Sequence, residues 1–115
     1  MGYRSDVCLA IHPDIVPEFM AVMAKSEPAR ELCWSHAAER QEDFQGLKGA
    51  LFFRWESVKW YPDYEDVAPI NEFIDWCNEN EHHDNFRFVR MGENDDDTDT
   101  EGWGFDIYVE RQLSY

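Results

Sequence analysis

Four stretches of this chain alternate apolar and polar residues with a period of two, and two regions repeat apolar residues at helical spacing. Val7, Leu9 and Ile11 alternate with Asp6, Cys8 and Ala10, which predicts a strand with one apolar face. His12-Pro13-Asp14 ends it, because a residue that precedes proline is biased toward extended backbone. Asp14 is placed to cap a helix with Ile15, Phe19, Val22 and Met23 on one side and Pro17 in its first turn. Ser26-Glu27-Pro28 reads as a break and a new start, with Ser26 or Glu27 at the cap. Leu32, Cys33, His36 and Ala37 then keep helical spacing to about Ala38. Two short helices or one kinked helix satisfy this pattern.

The polar segment from Gln41 to Gly49 carries Gly46 and Gly49 and predicts a turn. In the strand that follows, Leu51, Phe53 and Trp55 share one face, with Arg54 and Glu56 on the other. After Ser57 the apolar phase moves to Val58 and Trp60, which predicts a bulge or bend. Beyond the turn at Tyr61-Pro62-Asp63-Tyr64, Glu65 and Asp66 place negative charge at a helix start, where the macrodipole favours it. That helix turns Val67, Ile70, Phe73, Ile74 and Cys77 inward and Glu72, Asp75 and Glu79 outward. Phe86, Phe88 and Arg90 alternate with Arg87, Val89 and Met91 in a further strand. Phe105, Ile107 and Val109 alternate with Asp106, Tyr108 and Glu110 in the last, so these two predict a hairpin across the acidic connection between them.

The expected fold is α+β over a single domain spanning residues 1–115: a small antiparallel or mixed sheet of about four strands, with two to three helices packed on one face. With 43% apolar residues and eight Phe, five Tyr and five Trp, the chain has material for a core. No apolar run approaches the ~18 residues that cross a bilayer. The opening Met1-Gly2-Tyr3-Arg4-Ser5-Asp6 predicts neither a secretion signal nor myristoylation. Cys8, Cys33 and Cys77, odd in number and set among apolar residues, read as reduced core thiols of a cytoplasmic protein.

Charge changes the picture. Twenty-five acidic residues against ten basic ones give a formal charge of −15. Glu93-Asn94-Asp95-Asp96-Asp97-Thr98-Asp99-Thr100-Glu101 puts six carboxylates in nine residues, without a cation. Such self-repulsion destabilises a folded chain, and solubility needs a magnitude of only about 2–8 in a small domain. The excess points to a negative surface presented to a basic partner. Direct nucleic-acid binding is disfavoured, since it rests on cations that neutralise phosphates.

Other chemistry is thinly supported. Asp95, Asp97, Asp99, Glu101 and Asp106 fall on the ligand spacing of a helix-loop-helix calcium site, but Thr100 replaces its glycine and Asp106 lies in a strand pattern. His82-His83-Asp84 lacks metal-site spacing. Cys33 and His36 stand one helical turn apart without an orienting third group, and His36 fits a partly buried, hydrogen-bonded role. No glycine-rich phosphate loop is present, so the sequence predicts no catalytic residues, no metal and no cofactor. Among the tryptophans, Trp55 and Trp76 fit the core. Trp60, Tyr64 and Trp103 divide between packing and partner contact, because tryptophan is enriched at interface hot spots.

The segments Met1-Gly2-Tyr3-Arg4-Ser5-Asp6-Val7 and Phe53-Arg54-Trp55-Glu56-Ser57-Val58-Lys59-Trp60-Tyr61, together with the final strand, resemble a group of small acidic phage and prophage proteins. That resemblance implies a setting in the bacterial host cytoplasm. Small acidic phage proteins are often inhibitors of bacterial defence, among them anti-CRISPR and anti-restriction proteins that mimic DNA. The expectation is a non-enzymatic inhibitor that binds a bacterial nucleic-acid-binding protein or complex and no membrane. Its contact residues are Glu93, Asp95, Asp96, Asp97, Asp99 and Glu101, assisted by Glu65, Asp66, Glu72, Asp75 and Glu79 and by Trp60, Tyr64 and Trp103. The alternatives are an immunity or regulatory module against a basic toxin or polymerase, and a calcium-binding protein or small enzyme.

Overall fold

A computed structural model describes residues 2–94, 96–109 and 113–114. Among these residues the chain is α+β, with one antiparallel five-stranded sheet and three α-helices. β1 (Ser5–Ile11) is central. On one side it pairs with β3 (Leu51–Val58), which pairs with β2 (Glu39–Glu42). On the other it pairs with β4 (Phe86–Gly92), which pairs with β5 (Thr98–Glu101), giving the order β2-β3-β1-β4-β5.

The helices α1 (Val16–Ala24), α2 (Glu27–Trp34) and α3 (Ala68–Glu79) lie over one face of this sheet. They meet Val7, Leu9 and Ile11 of β1, Phe53 and Trp55 of β3, and Phe86 and Phe88 of β4. Each such side chain removed from water contributes roughly 1.5–3 kcal/mol, so this face carries most of the stability. Phe19 sits at its centre, edge-on to Phe73 at 5.2 Å and tilted on Phe53 at 5.6 Å. The indole Nε1 of Trp55 donates to the Leu32 carbonyl at 2.8 Å, which satisfies a buried polar group at the end of α2.

Local sequence explains most boundaries. Ser26 caps α2, its hydroxyl accepting from the Ala29 amide at 3.2 Å, so the region forms two short helices. The cap expected from Asp14 is made instead by His12, whose Nδ1 accepts from the Asp14 amide at 3.1 Å ahead of a short turn at Pro13–Ile15. α2 ends at Trp34, so His36 lies beyond the helix and is exposed rather than partly buried. The phase change after Ser57 is a bulge: Ser57 has φ +49° and the β1–β3 register shifts there.

Three expectations are corrected. β2 lies partly inside the segment read as a turn. The partner of β4 is β5, within the acidic run, and not the Phe105–Val109 segment. That last segment instead packs Phe105 and Ile107 against the sheet face away from the helices, and Tyr108–Val109 pairs with Leu113–Ser114 in a separate short hairpin. Glu110, expected in that strand, lies outside the described residues.

The face away from the helices is thereby covered as well. Phe44 stacks on Phe52 at 4.2 Å, with Cys8, Ala10, Val89 and Ile107 around them. Gly102-Trp103-Gly104 fixes how the chain reaches this face. The Trp103 amide donates to the His83 carbonyl at 2.8 Å and the Gly104 amide to the Phe86 carbonyl at 2.9 Å. Gly102 has φ +73°, and a Cβ there would stand 2.2 Å from the Phe86 carbonyl oxygen. No helix is long and apolar enough to cross a membrane, among the described residues.

Candidate functional site

β5 takes its place at the sheet edge although its sequence, Thr-Asp-Thr-Glu, has no apolar side chain. Besides the ladder to β4, Arg90 helps to hold it. This residue occupies a helix-facing position of β4, opposite Asp99. Its guanidinium reaches Asp99 Oδ2 at 2.9 Å through Nε and Asp97 Oδ1 at 2.6 Å through Nη2, with a further bond from Nη1 to the Ser5 hydroxyl at 3.0 Å. Charge-assisted bonds of this kind are about twice as strong as neutral ones.

Asp97 is held from a second side. The Tyr3 hydroxyl donates to its Oδ2 at 2.5 Å and accepts from the Asn94 amide at 3.1 Å. The Arg4 amide donates to Glu93 Oε2 at 3.1 Å, and the Gly92 amide to the Asp97 carbonyl at 2.8 Å. Bonds from Arg90, and then from Tyr3, hold the Asp97 carboxyl below the usual carboxylate range. The same contact with Asp97 pushes the Tyr3 phenol up, and hydrogen bonding to Asp97 raises Arg90. The acidic connection is therefore moored to the N-terminal segment and to the sheet.

Beside this edge runs a cleft of about 780 Å³ between β5 and the Tyr61–Asn71 region. Its lining combines Tyr61, Trp60 and Phe88 with Asp97, Asp99 and Glu101. Asn78 of α3 donates to Glu101 Oε1 at 2.7 Å, tying the edge strand to the helix layer.

The expected contact residues fall into separate patches. Glu93, Asp96 and Asp99 are exposed on the edge, while Asp97 and Glu101 are half-buried; Asp95 lies outside the described residues. Glu72, Asp75 and Glu79 are exposed on α3 and make no ion pair among the described residues. Tyr64, Glu65 and Asp66 border a second, smaller cleft with Glu31 and His36. Tyr64 is 40% exposed and Trp103 67%, the latter stacked on His83 at 5.1 Å. Of the two roles expected for Trp60, packing is the one the fold gives it. The residue is only 6% exposed, packed on Trp55 and Phe88, because the bulge at Ser57 returns its ring to the core. It lines the cleft with only this small exposed area.

The other candidate chemistries meet specific obstacles. The carboxylates of Asp97 and Asp99, two of the calcium-like positions, are engaged by Arg90. His82 and His83 stack on different tryptophans, Trp76 and Trp103. No group of three or more His, Cys, Asp or Glu side chains is arranged to hold a metal ion among the described residues. Cys33 is buried and its thiol is pushed up to about 12 by burial, so it is a poor nucleophile near neutral pH.

Sequence reasoning missed Arg90, Tyr3 and Asn78. Arg90 had a signal: a cation on the apolar face of its strand, just before a run of acids. It also missed where the other arginines point. Arg4, Arg30, Arg40 and Arg87 donate to main-chain carbonyls of Ser57, Met23, Ala24, Trp34, Gly102 and Ile107. These four cations satisfy backbone acceptors within the chain. No family model, curated protein or solved structure matches this chain.

Proposed function

We propose that this protein is a non-enzymatic inhibitor of phage type, which occupies the basic nucleic-acid groove of a bacterial defence or host protein in the cytoplasm. The observation that carries this reading is the moored acidic edge. Asp97 and Asp99 are fixed by Arg90 and Tyr3 beside the exposed carboxylates Glu93 and Asp96. Alternate residues of a strand stand roughly 6.5–7 Å apart on one face, so Asp99 and Glu101 form a short, regular anionic row. Carboxylates held in place need less ordering on binding than a flexible acidic tail. The formal charge of −15 gives a strongly negative field, and such a field steers a basic partner.

The test is capture from bacterial lysate at low salt, followed by stepwise salt elution. A nucleic-acid-binding protein should be retained and then released, with affinity falling by roughly ten- to a thousandfold as screening grows. A variant with Glu93, Asp96 and Glu101 changed to the amides should keep the fold and lose the partner. Full retention by that variant would remove the edge from the account. The exposure of Tyr64 and Trp103 favours a second reading, an immunity or regulatory module. Its partner would lack a nucleic-acid groove and remain bound at high salt.

A further inference from the structure

The cleft beside β5 has a chemistry of its own. Three carboxylates and one guanidinium line it, a net formal charge of −2. Arg90 already takes Asp99 Oδ2, and Asn78 takes Glu101 Oε1. Asp99 Oδ1 and Glu101 Oε2 accept no hydrogen bond within the chain, among the described residues. These two acceptors belong to neighbouring same-face positions of one strand, since Asp99 stands opposite Arg90 and Glu101 opposite Phe88. Across the cleft is an aromatic wall. Tyr61 is fixed by a bond from the Tyr3 amide to its hydroxyl at 2.7 Å, and the nearly buried Trp60 and Phe88 also line the cleft.

We infer that this cleft is a receptor for an arginine side chain of the basic partner. A guanidinium is planar, gives up its hydration more readily than an ammonium, and stacks on aromatic faces while its fork meets carboxylates. The inserted arginine would donate to Asp99 Oδ1 and Glu101 Oε2 and lie against Tyr61. The protein's own Arg90 shows the same carboxylate edge engaging a guanidinium from within. This inference rests on the proposed inhibitor function and specifies the side chain at its contact.

The test is a titration of the isotope-labelled protein with acetyl-arginine-amide, followed by backbone and indole NMR signals. Acetyl-citrulline-amide, neutral and of nearly the same shape, is the control. Saturable shifts are expected at Asp99, Thr100 and Glu101 and at the Trp60 indole, with arginine preferred at least about tenfold. Glu101→Gln should weaken the arginine probe severalfold. Asn71→Trp, which fills the cleft without changing charge, should abolish its binding, and signal dispersion shows in each case that the variant is folded. Equal binding of citrulline overturns the proposal. So do arginine shifts as strong on Glu72, Asp75 and Glu79 as on the cleft, or no saturable shift at all. The probe reads the cleft without a partner. If it binds while lysate capture yields no nucleic-acid-binding protein, the inhibitor reading fails and the cleft stands.

Discussion

The Tyr3 hydroxyl donates to Asp97 Oδ2 at 2.5 Å, joining the N-terminal segment to the acidic connection ninety-four positions further along. With Arg90 on the other side of the same carboxylate, it turns a self-repelling run into a placed one. Both partners titrate, and the signs follow. Asp97 titrates below its ordinary value of 3.8 in the folded chain, so its contribution is complete above that value and is lost as pH falls through the lower folded pKa. Tyr3 titrates above its ordinary 10.0, so its contribution is complete below that value and is lost as pH rises through the raised folded pKa. Stability measured by urea titration should therefore fall at both extremes. Tyr3→Phe should flatten the alkaline fall, and Asp97→Asn should flatten both.

Trp55 and Leu32 give a core test. Trp55→Phe keeps an aromatic ring but removes the donor to the buried Leu32 carbonyl and leaves unfilled volume. The expected loss is about 2–4 kcal/mol, read as a lower urea midpoint. A change within about 0.5 kcal/mol, the usual range for surface substitutions, would show that the bond matters little.

Gly102→Ala should be costly at the border of the core, against the buried Phe86. The new methyl meets the Phe86 carbonyl, and the positive φ is unfavourable for alanine. A loss of at least about 2 kcal/mol is expected. Hydrogen exchange should quicken at the Trp103 and Gly104 amides, while those of β1 stay protected. Unchanged exchange at Trp103 would contradict the docking described for this turn.

The thiols of Cys8, Cys33 and Cys77 are buried, and burial pushes each up to about 12. Native protein at pH 8 should resist alkylation, and denatured protein should take up three labels per chain. Rapid labelling of Cys33 in the native state would reopen a catalytic role for it.

How far the fold was legible depends on what stabilises each element. Alternation in Val7, Leu9 and Ile11 and the helical spacing of Ile70, Phe73, Ile74 and Cys77 mark surfaces driven by burial, and these are where expected. β2 and β5 escaped notice because they are edge strands of mostly charged and polar residues. Ladder bonds hold both, and Arg90 adds to β5, so no hydrophobic period betrays them. Charge on such edges also discourages further strand pairing. The alternation around Phe105 and Ile107 misled for the opposite reason: their burial is real, but against Phe44 and Val89 on the second face. At the candidate site the acids themselves were visible in sequence. Their attachment to Arg90 and Tyr3 was not, because it depends on how β4 and the N-terminal segment come together.

Occupation of the groove is tested by competition between this protein and duplex DNA for the partner captured at low salt. Labelled DNA bound to that partner should be displaced stoichiometrically by the wild-type chain and not by the Glu93, Asp96 and Glu101 amide variant. A stable ternary complex of partner, DNA and this protein would contradict occupation of the nucleic-acid groove.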